Sequence, residues 1–205
     1  MDFNNPLFEE LAKKNLEEEL ERKFAVTEAL VRDLESWTEY NYITDDEETQ
    51  DMLAEAQSLR DVPEYNVLIE GPSGTGKEII AGILSFKNDR PTHKSINMSG
   101  LTDSLFESQL FGYVPGAFTG ALAKGSEGFI RACRDGVAFF DEIGELPLSQ
   151  QAKILRVIQA REVLPVGGVD SVKVGCRFVF ATNRDLLTEV REGRFREDLY
   201  FRIRS

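Results

Sequence analysis

Apolar residues recur along the chain at two different periods, and the change from one to the other lays out its elements. Leu7, Phe8, Leu11, Leu16, Leu20, Phe24, Leu30, Val31, Leu34 and Trp37 are spaced by threes and fours, which predicts one or two amphipathic helices over 6–37. A polar break follows at Thr44-Asp45-Asp46-Glu47-Glu48. Thr44 is placed to cap a helix running to about residue 60, with acidic side chains favoured in its first turn. Beyond it, short apolar runs predict strands at 66–69, 94–98, 137–140 and 177–181. Periodic stretches between them predict helices at 77–86, 105–111, 149–161 and from 185 onward. Runs 163–166 and 171–174 flank Gly167-Gly168 and read as a hairpin insertion. Strands alternating with helices imply parallel βαβ units, a three-layer α/β fold with a parallel sheet. The division expected is an acidic helical segment over 1–43 and an α/β domain over 44–205.

Charge sharpens that division. The 205 residues carry a formal net charge of -12, but residues 1–60 hold 17 acidic and 6 basic groups, leaving 19 acidic and 18 basic groups in the rest. The early helices therefore either cap the domain with a solvated acidic face or offer a docking surface to a partner. Bulk acidity argues against gripping DNA, which needs clustered Lys and Arg. Two cysteines, Cys133 and Cys176, and a single His93 make a disulfide framework, a zinc cluster and Ser-His or Cys-His catalysis improbable. The cysteines are expected to be small buried hydrophobes, and His93 a surface residue. No apolar run approaches the roughly 20 residues of a membrane span, so a cytoplasmic location with no membrane contact is expected.

The chemistry begins after the first predicted strand. Gly71, Pro72, Ser73, Gly74, Thr75, Gly76 and Lys77 fit G-x-x-x-x-G-K and open directly into a helix. Glycines let successive N–H groups turn inward around phosphate oxygens, the helix N-terminus adds its positive end, and Lys77 supplies a point charge for the β and γ phosphates. The hydroxyl that usually follows the lysine and ligates magnesium is here Glu78. An apolar strand ending in carboxylates is the usual second half of such a site. Val137-Ala138-Phe139-Phe140-Asp141-Glu142 provides it, with Asp141 64 residues beyond Lys77. Asp141 is expected to hold Mg²⁺, directly or through water, and Glu142 to orient and polarise the attacking water for hydrolysis.

Residues Gly116, Ala117, Phe118, Thr119, Gly120 and Ala121 form a loop with glycine at both ends and an aromatic and a hydroxyl at its tip, suited to presenting Phe118 to a partner. This hexapeptide, GAFTGA, resembles the hallmark of bacterial enhancer-binding proteins, the AAA+ activators of sigma-54 RNA polymerase. The resemblance extends over about 44–204 and includes a glutamate after the phosphate-loop lysine. It implies that Asn97 pairs with Glu142 and couples nucleotide state to the loop. Thr182 and Asn183 take the place of sensor I beside the γ-phosphate, and Arg196 and Arg202 that of arginines acting on a neighbour's nucleotide. It also implies ATP and Mg²⁺ as cofactors, sigma-54 as partner and self-association into a ring, a hexamer in the family. Gln109, Ile130-Arg131 and Asp135-Gly136-Val137 depart from the family pattern, the first two beside the loop. The helical lid, with its sensor II arginine, and a DNA-reading domain that the family carries further on are not within these residues.

The leading expectation is an ATP-hydrolysing ring that remodels sigma-54 polymerase closed complexes through Phe118 and Thr119. The alternative of another class is a nucleotide-gated sigma-54-binding module, fragment or decoy with little turnover. A third reading is an AAA+ enzyme of a different branch, such as a DNA-processing motor.

Overall fold

A computed structural model describes residues 46–60, 62–87, 90–91 and 93–204. The helices expected over 6–37, Trp37 and the Thr44 cap lie outside these residues. Helix α1 spans Glu47–Arg60, and its cap is Asp46, whose carboxylate accepts from the Thr49 N–H at 2.9 Å. Burial of α1 is confined to one side, centred on Ala56.

Four strands form a parallel sheet: β1 (Val67–Glu70), β4 (His93–Asn97), β5 (Val137–Asp141) and β8 (Arg177–Thr182), in the order β1-β8-β5-β4. The central strands β5 and β8 are Val- and Phe-rich runs that bury both faces, the composition a covered parallel sheet requires, whereas the edge strand β4 is polar and buries neither face. Alternation assigns the faces. Val137, Phe139, Val179 and Ala181 pack with Ile80, Ala81, Ile83 and Leu84 of helix α2 (Lys77–Ser85) and with Ala56 of α1. Ala138, Phe140, Phe178 and Phe180 point into the larger core on the other side. That core includes helix α3 (Asp103–Leu110), the short α4 (Phe129–Ala132), α5 (Leu148–Ala160), α6 (Leu186–Arg191) and α7 (Glu197–Ile203). Phe140 anchors it, stacked on Phe180 at 5.2 Å and set edge-on to Phe129 at 5.5 Å. Helices on both faces of a parallel sheet make the expected three layers.

Several local features depart from the pattern-based reading. A small antiparallel pair, β2 (Phe86–Lys87) and β3 (Arg90–Pro91), follows α2. The helical stretch from 185 breaks into α6 and α7 at Gly193, whose φ is +71°. The hairpin insertion is present but its strands are short, β6 (Glu162–Val163) and β7 (Val172–Lys173). His93 starts β4 rather than lying in a surface connection, and its Nδ1 is 3.4 Å from Ser85 Oγ. Cys133 and Cys176 are buried. At the base of the sheet, the buried Arg177 donates to the Tyr65 and Leu59 carbonyls, at 3.0 and 2.8 Å, fastening the end of α1 to β8. No described helix is long and apolar enough to cross a membrane.

Candidate nucleotide site and partner loop

Strand register decides which side chains meet. Asn97 is paired with Asp141, and Glu70 with Thr182, so the carboxyl ends of all four strands finish together. That edge is where open α/β sheets bind ligands. The 71–77 loop leaves β1 here, tied to β8 by the Gly71 N–H donating to the Thr182 carbonyl at 3.1 Å. Gly74 and Gly76 have φ of +81° and +84°, a region open to glycine at little cost and one that aims consecutive N–H groups into the loop. The Lys77 ammonium reaches back over the loop to the Gly71 and Pro72 carbonyls at 2.9 and 3.0 Å. Ser73 and Thr75 are exposed, and the Thr75 hydroxyl donates to the Pro72 carbonyl at 2.9 Å. Glu78 opens α2 on its exposed side.

Asp141 ends β5 half-buried and accepts from the Glu142 N–H at 3.0 Å. Glu142 adopts a left-handed conformation, φ +56° and ψ +47°. A non-glycine residue held there stores of order 1 kcal/mol of strain, a pattern concentrated at functional sites. Its carboxylate accepts from the Asn183 N–H at 3.3 Å, which joins the acid to the end of β8. The pairing of Glu142 with Asn97 is not what the structure contains: the Asn97 amide oxygen accepts from Ser99 N and Oγ at 2.9 and 2.6 Å, capping a 3₁₀ turn over Met98–Gly100. Asn97 and Glu142 thus lie at the same edge with separate partners. Thr182 is fully buried, and its hydroxyl accepts from the Arg184 N–H at 3.1 Å.

Among the described residues no group of three or more His, Cys, Asp or Glu is placed to hold a metal. One carboxylate beside a phosphate loop suits magnesium, which keeps several waters and takes one or two carboxylates plus substrate phosphates. The donor set therefore fits Mg²⁺ held at Asp141.

Next to the site runs an ionic chain absent from the sequence reading. Arg184 clamps Glu145 (2.8 and 2.5 Å) and reaches Glu189 at 3.3 Å; Arg194 clamps Glu189 at 2.7 and 2.6 Å. The Arg194 hydrogen bonds hold the Glu189 carboxyl below the usual range, and Glu189 raises Arg194 in return. Arg196 caps α7 and forms a two-pronged pair with Asp198, at 3.0 and 2.6 Å, which lowers the Asp198 carboxyl and raises the guanidinium. Arg202 lies exposed in the last turn of α7, and its carbonyl accepts from Asn66 Nδ2 at 3.1 Å.

The partner loop rises on a closed stem. Tyr113 and Ser126 exchange both main-chain hydrogen bonds at 2.9 Å, and Val114 and Gly112 bond to Val166 of the hairpin insertion. A Cβ on Gly112 would sit 2.3 Å from the Ser126 carbonyl oxygen, so only glycine permits the stem to close. Gly116 and Gly120, with φ of +74° and +90°, stand in open space on either side of Phe118. Phe118 is 44% exposed and edge-on to Tyr113 at 5.0 Å. Thr119 is exposed, Ala121 is half-buried and Ala117 packs against the Gly167 backbone of the insertion. The insertion tip itself presents Val169, 92% exposed.

The Sigma-54 interaction domain family matches residues 42–205. The regulatory protein AtoC of Escherichia coli (strain K12) is 41% identical over 82% of this chain and 36% of its own length. The Nif-specific regulatory protein of Azotobacter vinelandii is 47% identical over 71% of this chain and 28% of its own. The chain thus spans about a third of the length of these curated relatives. Among solved structures, NtrX from Brucella abortus in complex with ATP superposes with a TM-score of 0.68 at 25% identity, over 91% of this chain and 42% of its own. From the match over four-fifths of its length and the AAA+ architecture, the chain belongs to the Sigma-54 interaction domain family.

Proposed function

We propose that residues 44–205 form an ATP-hydrolysing motor that assembles into a ring and remodels sigma-54 polymerase closed complexes by pressing Phe118 and Thr119 on sigma-54. The observation that carries this reading is the shared carboxyl edge: the 71–77 loop, Asp141, Glu142, Thr182 and Asn183 meet where four parallel strands end. The loop N–H groups and Lys77 bind the phosphates, and Asp141 holds Mg²⁺, which neutralises phosphate charge when bound. Glu142, kept near Asn183 by its hydrogen bond, orients water for in-line attack. Arg196 and Arg202 of one subunit serve the site of the next; related nucleotidases gain roughly 10³ to 10⁵ in rate from such an arginine. To reach a neighbour, Arg196 exchanges its Asp198 partner for phosphate, a swap of one anion for another. Asn97 reads nucleotide state from its position beside Asp141. The location is cytoplasmic.

Sigma-54 binding tests the reading. With a transition-state analogue of ATP the protein should retain sigma-54, and without nucleotide it should not. Failure to retain sigma-54 in the presence of the analogue would remove the basis of the proposal. Retention combined with an absence of ATP turnover would identify a nucleotide-gated binding module instead.

A further inference from the structure

Helix α5 buries Ile154, Leu155 and Ile158, and one turn earlier on the same stripe stands Gln151, with a relative exposure of 0%. A primary amide withdrawn from water is costly unless its donors and acceptor find partners. Gln151 finds three, all of them main-chain groups. Its Nε2 donates to the Leu146 carbonyl at 2.7 Å and to the Arg194 carbonyl at 3.0 Å, and its Oε1 accepts from the Arg196 N–H at 2.8 Å. Leu146 closes the 3₁₀ turn, Ile143–Glu145, that starts from Glu142. Arg194 and Arg196 flank the buried Phe195 and lead into α7.

The pattern is specific to position. Arg196 is the cap residue of α7, so its N–H lies outside the helix's own ladder, and Gln151 satisfies it. The guanidinium's partner, Asp198, rides on the same helix and moves with it. The amide of Gln151 therefore registers the Arg196 backbone against the segment that carries Glu142, and its planarity fixes both in one orientation.

We propose that Gln151 is a positioning residue: it sets the reach of Arg196 toward a neighbouring subunit's nucleotide and couples that reach to the Glu142 segment of its own subunit. This rests on the reading of Arg196 as an arginine that acts on the neighbour.

Gln151→Met keeps volume and apolar packing while removing all three bonds. In homogeneous protein, ATPase kcat should fall by about tenfold or more, as expected when a reacting group is misplaced by a fraction of an ångström. KM for ATP should stay within about twofold, because the phosphate loop of the same subunit is untouched. Mixing separates positioning from general damage. Subunits with Lys77→Ala lack the phosphate-binding ammonium but still carry Arg196. Mixed with Gln151→Met, they should restore turnover at the intact phosphate loops of the Gln151→Met subunits, as they should for Arg196→Ala. Gln151→Asn, one methylene shorter, is read in the same way if the methionine variant does not fold, with a smaller loss. Wild-type kcat in the Gln151 variants overturns the inference, as does rescue of Arg196→Ala by Lys77→Ala without rescue of the Gln151 variant. If Arg196→Ala itself is not rescued, the neighbour-acting role of Arg196 fails, and the inference falls with it.

Discussion

Gly144→Ala puts a single methyl group against the nucleotide site. A Cβ at residue 144 would lie 2.8 Å from Thr182 Oγ1 and 3.3 Å from both Arg184 Cδ and Leu186 Cδ2. Gly144 is not among the glycines with positive φ, so alanine suits the backbone and the variant isolates the contact. Ordinary van der Waals contact begins near 3.4 Å, which requires Thr182 to move by about half an ångström. Thr182 is fully buried and already accepts from the Arg184 N–H, so that movement disturbs a packed strand end. Overpacking of this kind costs about 1 to 3 kcal/mol, offset by about 0.4 to 1 kcal/mol from the stiffer unfolded chain. The net loss, up to about 2.6 kcal/mol, lowers Tm by up to about 10 °C for a domain of this size. Because Asn183, the next residue, holds Glu142, turnover should fall by about tenfold or more while the KM for ATP changes little. Thermal melting and steady-state ATPase measurements on the same preparations give both numbers. An unchanged Tm together with an unchanged kcat would show that residue 144 does not abut Thr182.

Glu142→Gln should bind ATP as the wild type does and lose about 10² to 10⁴ in turnover, measured by nucleotide titration and phosphate release. Phe118→Ala should abolish retention of sigma-54 in the presence of a transition-state analogue, yet lower Tm by only about 2 to 4 °C, since the side chain is half-exposed and loses little beyond its Tyr113 contact. Glu189→Gln should cost about 1 to 3 kcal/mol near neutral pH, because Arg184 keeps Glu145 and Arg194 keeps Glu192. The folded state depresses the Glu189 carboxyl, so its contribution is complete above the ordinary glutamate range and disappears as pH falls through the lower folded-state value. Urea melts at a series of pH values should therefore show wild type and Glu189→Gln converging in acid; a gap that stays constant would contradict the ion-pair origin.

What the sequence conveyed depended on how local each signal is. The strands at the sheet centre were legible because Phe139, Phe140, Val179 and Phe180 bury both faces and leave unbroken apolar runs. The phosphate loop was legible because its chemistry lies in seven consecutive residues. Element ends were less so: the Asp46 carboxylate caps α1, and the left-handed Gly193 splits a continuous-looking helix. Long-range partners carried the weakest signal. Spacing could not indicate that Asn97 bonds to Ser99, that Glu142 bonds to the Asn183 N–H, or that Arg184, Glu189 and Arg194 form one ionic chain. Gln151 did leave a trace, as a polar residue at the i position of a stripe whose i+3, i+4 and i+7 members are Ile154, Leu155 and Ile158. A glutamine in that place implies a buried amide with assigned partners.

In the proposed motor catalysis needs two subunits, one supplying the phosphate loop and the other Arg196. Specific ATPase activity measured against protein concentration reads this requirement. Activity per subunit should rise with concentration to a plateau, and Arg196→Ala should show background activity at every concentration. Activity per subunit that is independent of concentration, or an Arg196→Ala variant that turns over like the wild type, would contradict it.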